Sequence, residues 1–145
     1  MKRIRINEEH CIGCRLCEVH CLVQHSRSKK IIKAFREERD LIEPRVRVEQ
    51  MGYHSFALQC RHCSEPDCVA ACISGALTKN PESGAVEHDS EKCVGCYSCV
   101  LTCPYGNIFI DHVHKKVIKC DLCAGLETMY CVSKCPNQAL VYVED

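Results

Sequence analysis

Sixteen of the 145 residues are cysteines, and they fall into four groups of four. The first group is Cys11, Cys14, Cys17 and Cys21 in CIGCRLCEVHC, and the third is Cys93, Cys96, Cys99 and Cys103 in CVGCYSCVLTC; both have gaps of two, two and three residues. The second, Cys60, Cys63, Cys68 and Cys72 in CRHCSEPDCVAAC, widens the middle gap to four. The fourth, Cys120, Cys123, Cys131 and Cys135 in CDLCAGLETMYCVSKC, widens it to seven. First and last gaps are the same in every group, the pattern of a duplicated unit whose loop accepts insertions. Thiols this close serve disulfides, tetrahedral zinc or iron-sulfur clusters.

Compartment and spacing separate these chemistries. The opening MKRIRINEEHCIGC has no apolar run of signal-peptide length, no twin arginine and no small-residue cleavage site, so a cytoplasmic chain with reduced thiols is expected. A structural zinc is usually reached from two knuckles separated by about a dozen residues or more. In the first and third groups three cysteines arrive within seven residues instead. That spacing suits a cubane: CxxCxxC gives thiolates to three irons, and a fourth cysteine, often followed by proline, reaches the partner cluster. Pro104 follows Cys103 and Pro136 follows Cys135. Iron-sulfur is the favoured chemistry, with zinc and disulfides as the alternatives.

The elements around the cysteines bear on which groups pair. KRIRIN at residues 2–7 and ALVYVED at residues 139–145 alternate apolar and polar side chains, as half-buried strands do. Each would be a lone edge unless they pair together, which joins the first and fourth groups. Residues 76–89, ALTKNPESGAVEHD, read as a hairpin that links the second group to the third, its turn carrying Asn80, Pro81, Ser83 and Gly84. Nested pairing then gives four closed ligand sets: Cys11, Cys14, Cys17 with Cys135; Cys120, Cys123, Cys131 with Cys21; Cys60, Cys63, Cys68 with Cys103; and Cys93, Cys96, Cys99 with Cys72. Adjacent pairing, first with second and third with fourth, is the alternative. Either way no ligand is missing and no iron is left open for substrate, so the sites are expected to move electrons and not to perform catalysis.

Composition bounds the rest. Nineteen basic and nineteen acidic residues cancel, which gives no general attraction for nucleic acid or an anionic membrane. Four [4Fe-4S]2+ clusters on sixteen thiolates would bring roughly eight negative charges, which many lysines and arginines would then offset locally. No apolar run is long enough for a membrane span. With no Trp and three Phe the core is modest, so bound metal is expected to supply much of the folding energy. There is no GxGxxG, no Walker loop and no nucleophile beside a base, so independent catalysis is not expected. Residues 26–41, SRSKKIIKAFREERDL, read as a helix with Ile31, Ile32, Phe35, Glu38, Leu41 and Ile42 on one side and Lys29, Lys30, Lys33 and Arg36 on the other. It is expected either to cover the first cluster unit or to dock a larger partner or a second copy. No histidine is assigned as a ligand, but His10 and His62 stand where they could donate to a sulfur, and Tyr97 and Tyr105 where they could shield a cluster.

CRHCSEPDCVAAC, CVGCYSCVLTCPYG and KCDLCAGLETMYCVSKCPNQAL together resemble the four-cluster polyferredoxin subunits of anaerobic oxidoreductases. These include the electron-transfer subunits of the dimethyl sulfoxide reductase and formate dehydrogenase type, and the small iron-sulfur partners of carbon monoxide dehydrogenase, hydrogenases and tungsten aldehyde oxidoreductases. The resemblance covers essentially the whole chain and includes Pro66 in the widened gap of the second group. It implies an α+β, duplicated bacterial-ferredoxin-like fold: two nested two-cluster ferredoxin units with short antiparallel strand pairs and little regular structure. In the single polyferredoxin domain 1–145, the outer unit would comprise about 1–25 and 112–145, the inner unit about 44–111, and 26–43 would be a basic helical insertion. PRVRVEQMGYHSFALQC resembles the family hairpin that leads into the second group. The implied cofactors are four [4Fe-4S] clusters. The implied partner is a larger catalytic oxidoreductase subunit carrying tungsten, molybdenum or nickel, with tungsten aldehyde oxidoreductase or carbon monoxide dehydrogenase foremost; a further redox subunit or self-association could join it. Leu22 and Ile73 replace the proline that often follows the fourth cysteine, and the chain ends ten residues after Cys135, without the extension that reaches a membrane anchor in larger members. A soluble complex is therefore expected. A freely diffusing polyferredoxin and a zinc-binding adaptor are the rival readings.

Overall fold

The structure is a computed structural model that describes residues 2–144. Its strands form four two-stranded antiparallel sheets. β1 (Lys2–Ile6) pairs with β8 (Leu140–Glu144), Ile4 opposite Tyr142 and Ile6 opposite Leu140, so the two ends of the chain close on each other. The alternation that marked them as strands buries Ile4 and Leu140 on one face. β2 (Val46–Met51) and β3 (His54–Gln59) form a hairpin through Gly52, which takes the left-handed φ of +61° that this two-residue turn requires. β4 (Leu77–Lys79) and β5 (Val86–His88) form the expected second hairpin, where Asn80 Oδ1 accepts the amides of Glu82 and Ser83 and so fixes the turn. β6 (Phe109–Asp111) and β7 (Lys116–Ile118) repeat the device with Asp111, whose carboxylate accepts the amides of Val113 and His114.

The helices are short and their placement is regular. α1 (Leu16–His25), α3 (Asp67–Ala70), α4 (Ser98–Thr102) and α5 (Tyr130–Ser133) each begin one residue before the third cysteine of a group: Cys17, Cys68, Cys99 and Cys131. α1 is the long one, running through Cys21 to His25. The short strand pairs and few helices are those of a small ferredoxin-like α+β fold.

The expected helix over 26–41 is corrected in both start and face. Helical backbone begins only at α2 (Ile31–Lys33) and continues as a π-helical turn over Ala34–Glu38 and a 3-10 turn over Arg39–Leu41. The cause lies upstream. Ser26 Oγ donates to the Val23 carbonyl and accepts the Lys29 amide, while the Glu38 carboxylate accepts the amides of Arg27 and Ser28 at 2.7 and 3.1 Å. Those amides therefore have no need of helical partners, and Lys29 turns left-handed at φ +53°. Ala34, fully buried, packs with Leu22 and Val23, joined by Phe35 and Ile42, whereas Ile32 is 79% exposed and Ile31 and Leu41 about half exposed.

The cysteines themselves form part of the core. Ile4, Val46, Val48, Ala57, Leu122 and Leu140 surround Cys17, Cys21, Cys60, Cys120 and Cys131. A second cluster joins Leu77, Val86, Ile108 and Val117 to Cys99. Among the described residues no helix is long and apolar enough to cross a membrane.

Candidate metal centre

Each CxxC loop turns in the same way. The residue before the second cysteine has a left-handed φ in all four groups: Gly13 at +68°, His62 at +48°, Gly95 at +71° and Leu122 at +55°. Two are glycines, which take this conformation freely; His62 and Leu122 hold it at a cost of about 1–2 kcal/mol each. A left-handed residue among ordinary ones turns successive N–H groups inward and makes a concavity for an anion. The cost at His62 and Leu122 is offset by burial, since both side chains are packed inside the protein, at 1% and 9% exposure.

The thiols come together across the sequence. Cys60, Cys63, Cys68 and Cys103 line one cavity of about 190 Å³, with Pro66, Tyr105 and Ile108. Burial pushes the Cys68 thiol up to about 11, and the neighbouring Cys60, Cys103 and Cys63 add to the rise. Cys99 is raised by burial and then by Cys72, Cys93 and Cys96. Cys131 is pushed above the usual thiol range by burial, then by Cys120, Cys21, Cys123 and Cys17. Cys17 rises to about 12, mainly through burial, with Cys14 and Cys11 contributing. The Cys135 turn lies beside the first loop: Asn137 Nδ2 donates to the His10 carbonyl at 2.8 Å, and the Asn7 amide donates to the Ala139 carbonyl. Cys120, buried and raised to about 12, also feels both Cys21 and Cys60, so the second and fourth groups adjoin. Only Cys14 and Cys96 are exposed.

None of the sixteen cysteines is in a disulfide, and among the described residues no three His, Cys, Asp or Glu side chains are arranged to hold a single metal ion. Backbone amides point at the sulfurs. Asn107 and Ala139, each four residues after a fourth cysteine, donate to Cys103 and Cys135 at 3.5 and 3.3 Å, and the backbone N–H groups of Leu77, Ala76 and Ser74 lower the Cys72 pKa against its partial burial. Cys21 differs because α1 runs on past it; the Arg45 amide, returning from the insertion, donates to its sulfur at 3.2 Å instead. Leu122 donates to Cys120 at 3.4 Å. The cavity of Cys60, Cys63, Cys68 and Cys103, drawn from two chain segments with an N–H donor on Cys103 and an anion-cradling turn at His62, fits an anionic iron-sulfur cubane, and the other three loops repeat that turn.

Several polar residues at these sites gave no sequence signal. Arg45 Nη1 pairs with Asp121, and His25 bridges Cys21 and Asp121: Nδ1 lies 2.8 Å from the Cys21 carbonyl, and Nε2 lies 3.4 Å from the Asp121 carboxylate. Both ring nitrogens face acceptors, so His25 donates from both. Burial alone would lower its pKa, but the bonds to Asp121 and Cys21 outweigh it and hold the ring at about 9. Asp121 sits well below the usual carboxylate range, burial being overcome by His25 and Arg45. Gln59, Asn107 and Lys119 are buried, and Asn107 Nδ2 donates to the Gln59 carbonyl. Only neighbours far away in sequence give these residues a role, which no local pattern announces.

Of the side chains singled out in the sequence, His62 Nδ1 accepts the Val86 amide at 2.9 Å, so its proton sits on Nε2, a buried donor with no protein partner among the described residues. Burial, then the nearby Lys119, lowers its pKa to about 3, and the ring is neutral. His10 is exposed. Tyr105 walls the Cys60 cavity with the Arg61 guanidinium 4.1 Å above its ring, and Tyr97 packs against the Cys99 cluster.

Known proteins agree with this architecture. The 4Fe-4S dicluster domain family matches residues 51–145. Electron transport protein HydN of Escherichia coli (strain K12) is 33% identical over 152 residues, covering 92% of this chain and 83% of HydN. AegA of the same strain is 33% identical over 150 residues, but there the chain spans only 22% of the relative's length. Among solved structures, the active site complex BamBC of benzoyl coenzyme A reductase contains a chain that covers 99% of this one with a TM-score of 0.53 at 25% identity. The cysteine loops, the strand pairs and these matches agree: the chain belongs to the 4Fe-4S dicluster domain family of iron-sulfur proteins.

Proposed function

We propose that the chain is an electron-transfer subunit that holds four [4Fe-4S] clusters in two nested units and has no catalytic site of its own. The observation that carries this is the crossing of fourth thiols: Cys103 shares a cavity with Cys60, Cys63 and Cys68, while Cys72 and Cys21 act on the thiols of the third and fourth groups. The ligand sets are then Cys11, Cys14, Cys17 and Cys135; Cys120, Cys123, Cys131 and Cys21; Cys60, Cys63, Cys68 and Cys103; and Cys93, Cys96, Cys99 and Cys72. A cubane bound by such a set takes up and releases one electron at a time.

The protein's part is to hold, order and insulate the sets. Cys60 and Cys120 adjoin, so the sets follow one another as first, fourth, second and third. The exposed thiols, Cys14 and Cys96, then belong to the two terminal sets, where electrons would enter and leave; of the middle sets, the one of Cys21, Cys120, Cys123 and Cys131 has all four thiols buried, and the one of Cys60, Cys63, Cys68 and Cys103 has one buried and three half-buried. The partner is a larger catalytic oxidoreductase subunit. The BamBC likeness supports this, as an active-site complex, and so does AegA, in which a matching stretch is one part of a much longer protein. Tungsten aldehyde oxidoreductase and carbon monoxide dehydrogenase remain the partner types that the motifs suggest.

Anaerobic isolation from the native host, with metals and co-purifying polypeptides measured together, tests the proposal. About sixteen irons per chain with a stoichiometric large companion is the expected result. Full iron without a companion points to a free carrier, and zinc in place of iron refutes the assignment.

A further inference from the structure

Lys119 directly precedes Cys120, yet it is 3% exposed, the one lysine, arginine, aspartate or glutamate that is fully buried among the described residues. Its Nζ donates to the carbonyls of Val86 at 2.5 Å and Cys120 at 2.7 Å. Among the described residues no carboxylate pairs with it. A buried ammonium is costly unless an opposite charge compensates; besides the rings of His62 and His88, this one acts on the thiols of Cys68 and Cys120, the groups that can become anionic, which belong to two different ligand sets.

Val86 is the meeting point. β5 pairs with β4 along one edge, Val86 opposite Lys79, and on the other edge the Val86 amide donates to His62 Nδ1 while its carbonyl accepts from Lys119. His62 comes from the second cysteine group and Lys119 from the fourth. The neutral His62 ring contributes no charge, so Lys119 is the cation on Val86, between the second and fourth groups; the other cations of the fourth set, His25 and Arg45, stand apart from it on Cys21 and Asp121.

Resting on the cluster assignment proposed above, we propose that Lys119 is a fixed buried cation shared by the second and fourth ligand sets, and that it raises the reduction potential of the clusters there. Each reduction adds one negative charge to a site that burial already makes hostile to charge. The set of Cys120, Cys123, Cys131 and Cys21 is the one in which all four thiols are buried. Without a cation, the middle of the relay would therefore be the hardest place to put an electron. With Lys119 in position, the crossing between the two units stays accessible.

The test uses anaerobic holoprotein carrying Lys119→Gln, which keeps a donor but removes the charge, and Lys119→Arg, which keeps the charge. Iron per chain is measured alongside an electron paramagnetic resonance redox titration. In Lys119→Gln the reduced-to-oxidised ratio of two of the four clusters falls about tenfold at fixed poise, ~59 mV for a one-electron couple, while iron content and the other two clusters stay unchanged. Lys119→Arg restores the ratio. Full iron with no shift, or an equal shift in all four clusters, overturns the proposal and leaves the cluster assignment standing. Iron loss in both variants makes Lys119 a structural clamp and also overturns it. Wild-type protein without iron sinks the cluster assignment, and this proposal with it.

Discussion

Gly95, in the CVGC loop, is a position where one added methyl meets backbone. A Cβ built there would lie 2.3 Å from the Lys115 carbonyl oxygen, which is backbone in the β6–β7 turn. Relieving that contact requires the loop and the turn to part by nearly 1 Å, an overpacking cost of about 1–3 kcal/mol. The left-handed φ of +71° adds about 1–2 kcal/mol for any residue with a Cβ. Gly75, just after Cys72 and close in sequence to the same ligand set, isolates the second effect, since its φ is +67° and nothing lies within 4 Å of its Cβ position. Gly95→Ala should therefore exceed Gly75→Ala by about 1–3 kcal/mol, or roughly 5- to 150-fold in rate. Cluster loss is irreversible, so the assay is the rate at which visible cluster absorbance bleaches at fixed denaturant under argon. Equal bleaching rates for the two variants would refute the close approach of loop and turn.

Other substitutions probe the supports of the site. Glu38→Gln weakens the acceptor that holds the Arg27 and Ser28 amides, and faster hydrogen exchange at these two amides, with iron content unchanged, is expected. Asp121→Asn breaks the ion pair with Arg45, and exchange of the Arg45 amide, which donates to Cys21, should accelerate by a factor reflecting about 1 kcal/mol at this partly exposed site. His88 is depressed in pKa by burial first, then by Lys119 and Arg45. The unfolded chain takes up a proton near pH 6.5 that the fold disfavours, so stability is complete above about pH 6.5 and is lost as pH falls towards the folded pKa. Wild-type bleaching should accelerate between about pH 7 and pH 5.5 more than that of His88→Asn; identical pH profiles would remove His88 from the account.

The thiol groups, the β1–β8 closure and the β4–β5 hairpin were legible because each is written locally, in fixed cysteine gaps, period-two alternation or turn residues. The insertion was not. Its apolar residues suggested a helix from 26, but Ser26 and Glu38 satisfy the amides of residues 27–29 by side-chain bonds, and Ala34, not Ile32, is the buried residue. The shared left-handed position was half visible: Gly13 and Gly95 announce it, whereas His62 and Leu122 conceal it. Lys119, Asp121 and Arg45 look like ordinary charges beside or away from a CxxC loop, and only the junction of distant segments gives them partners. Charge patterning carries no record of such contacts.

The central claim is that fourth cysteines cross between groups in nested order, and Cys21 tests it most directly. Its serine variant, prepared anaerobically, should lose one cluster signal and about four irons, and the lost signal should be the one that Cys123→Ser removes. Loss of the signal that Cys63→Ser removes would mean adjacent pairing and would contradict the account.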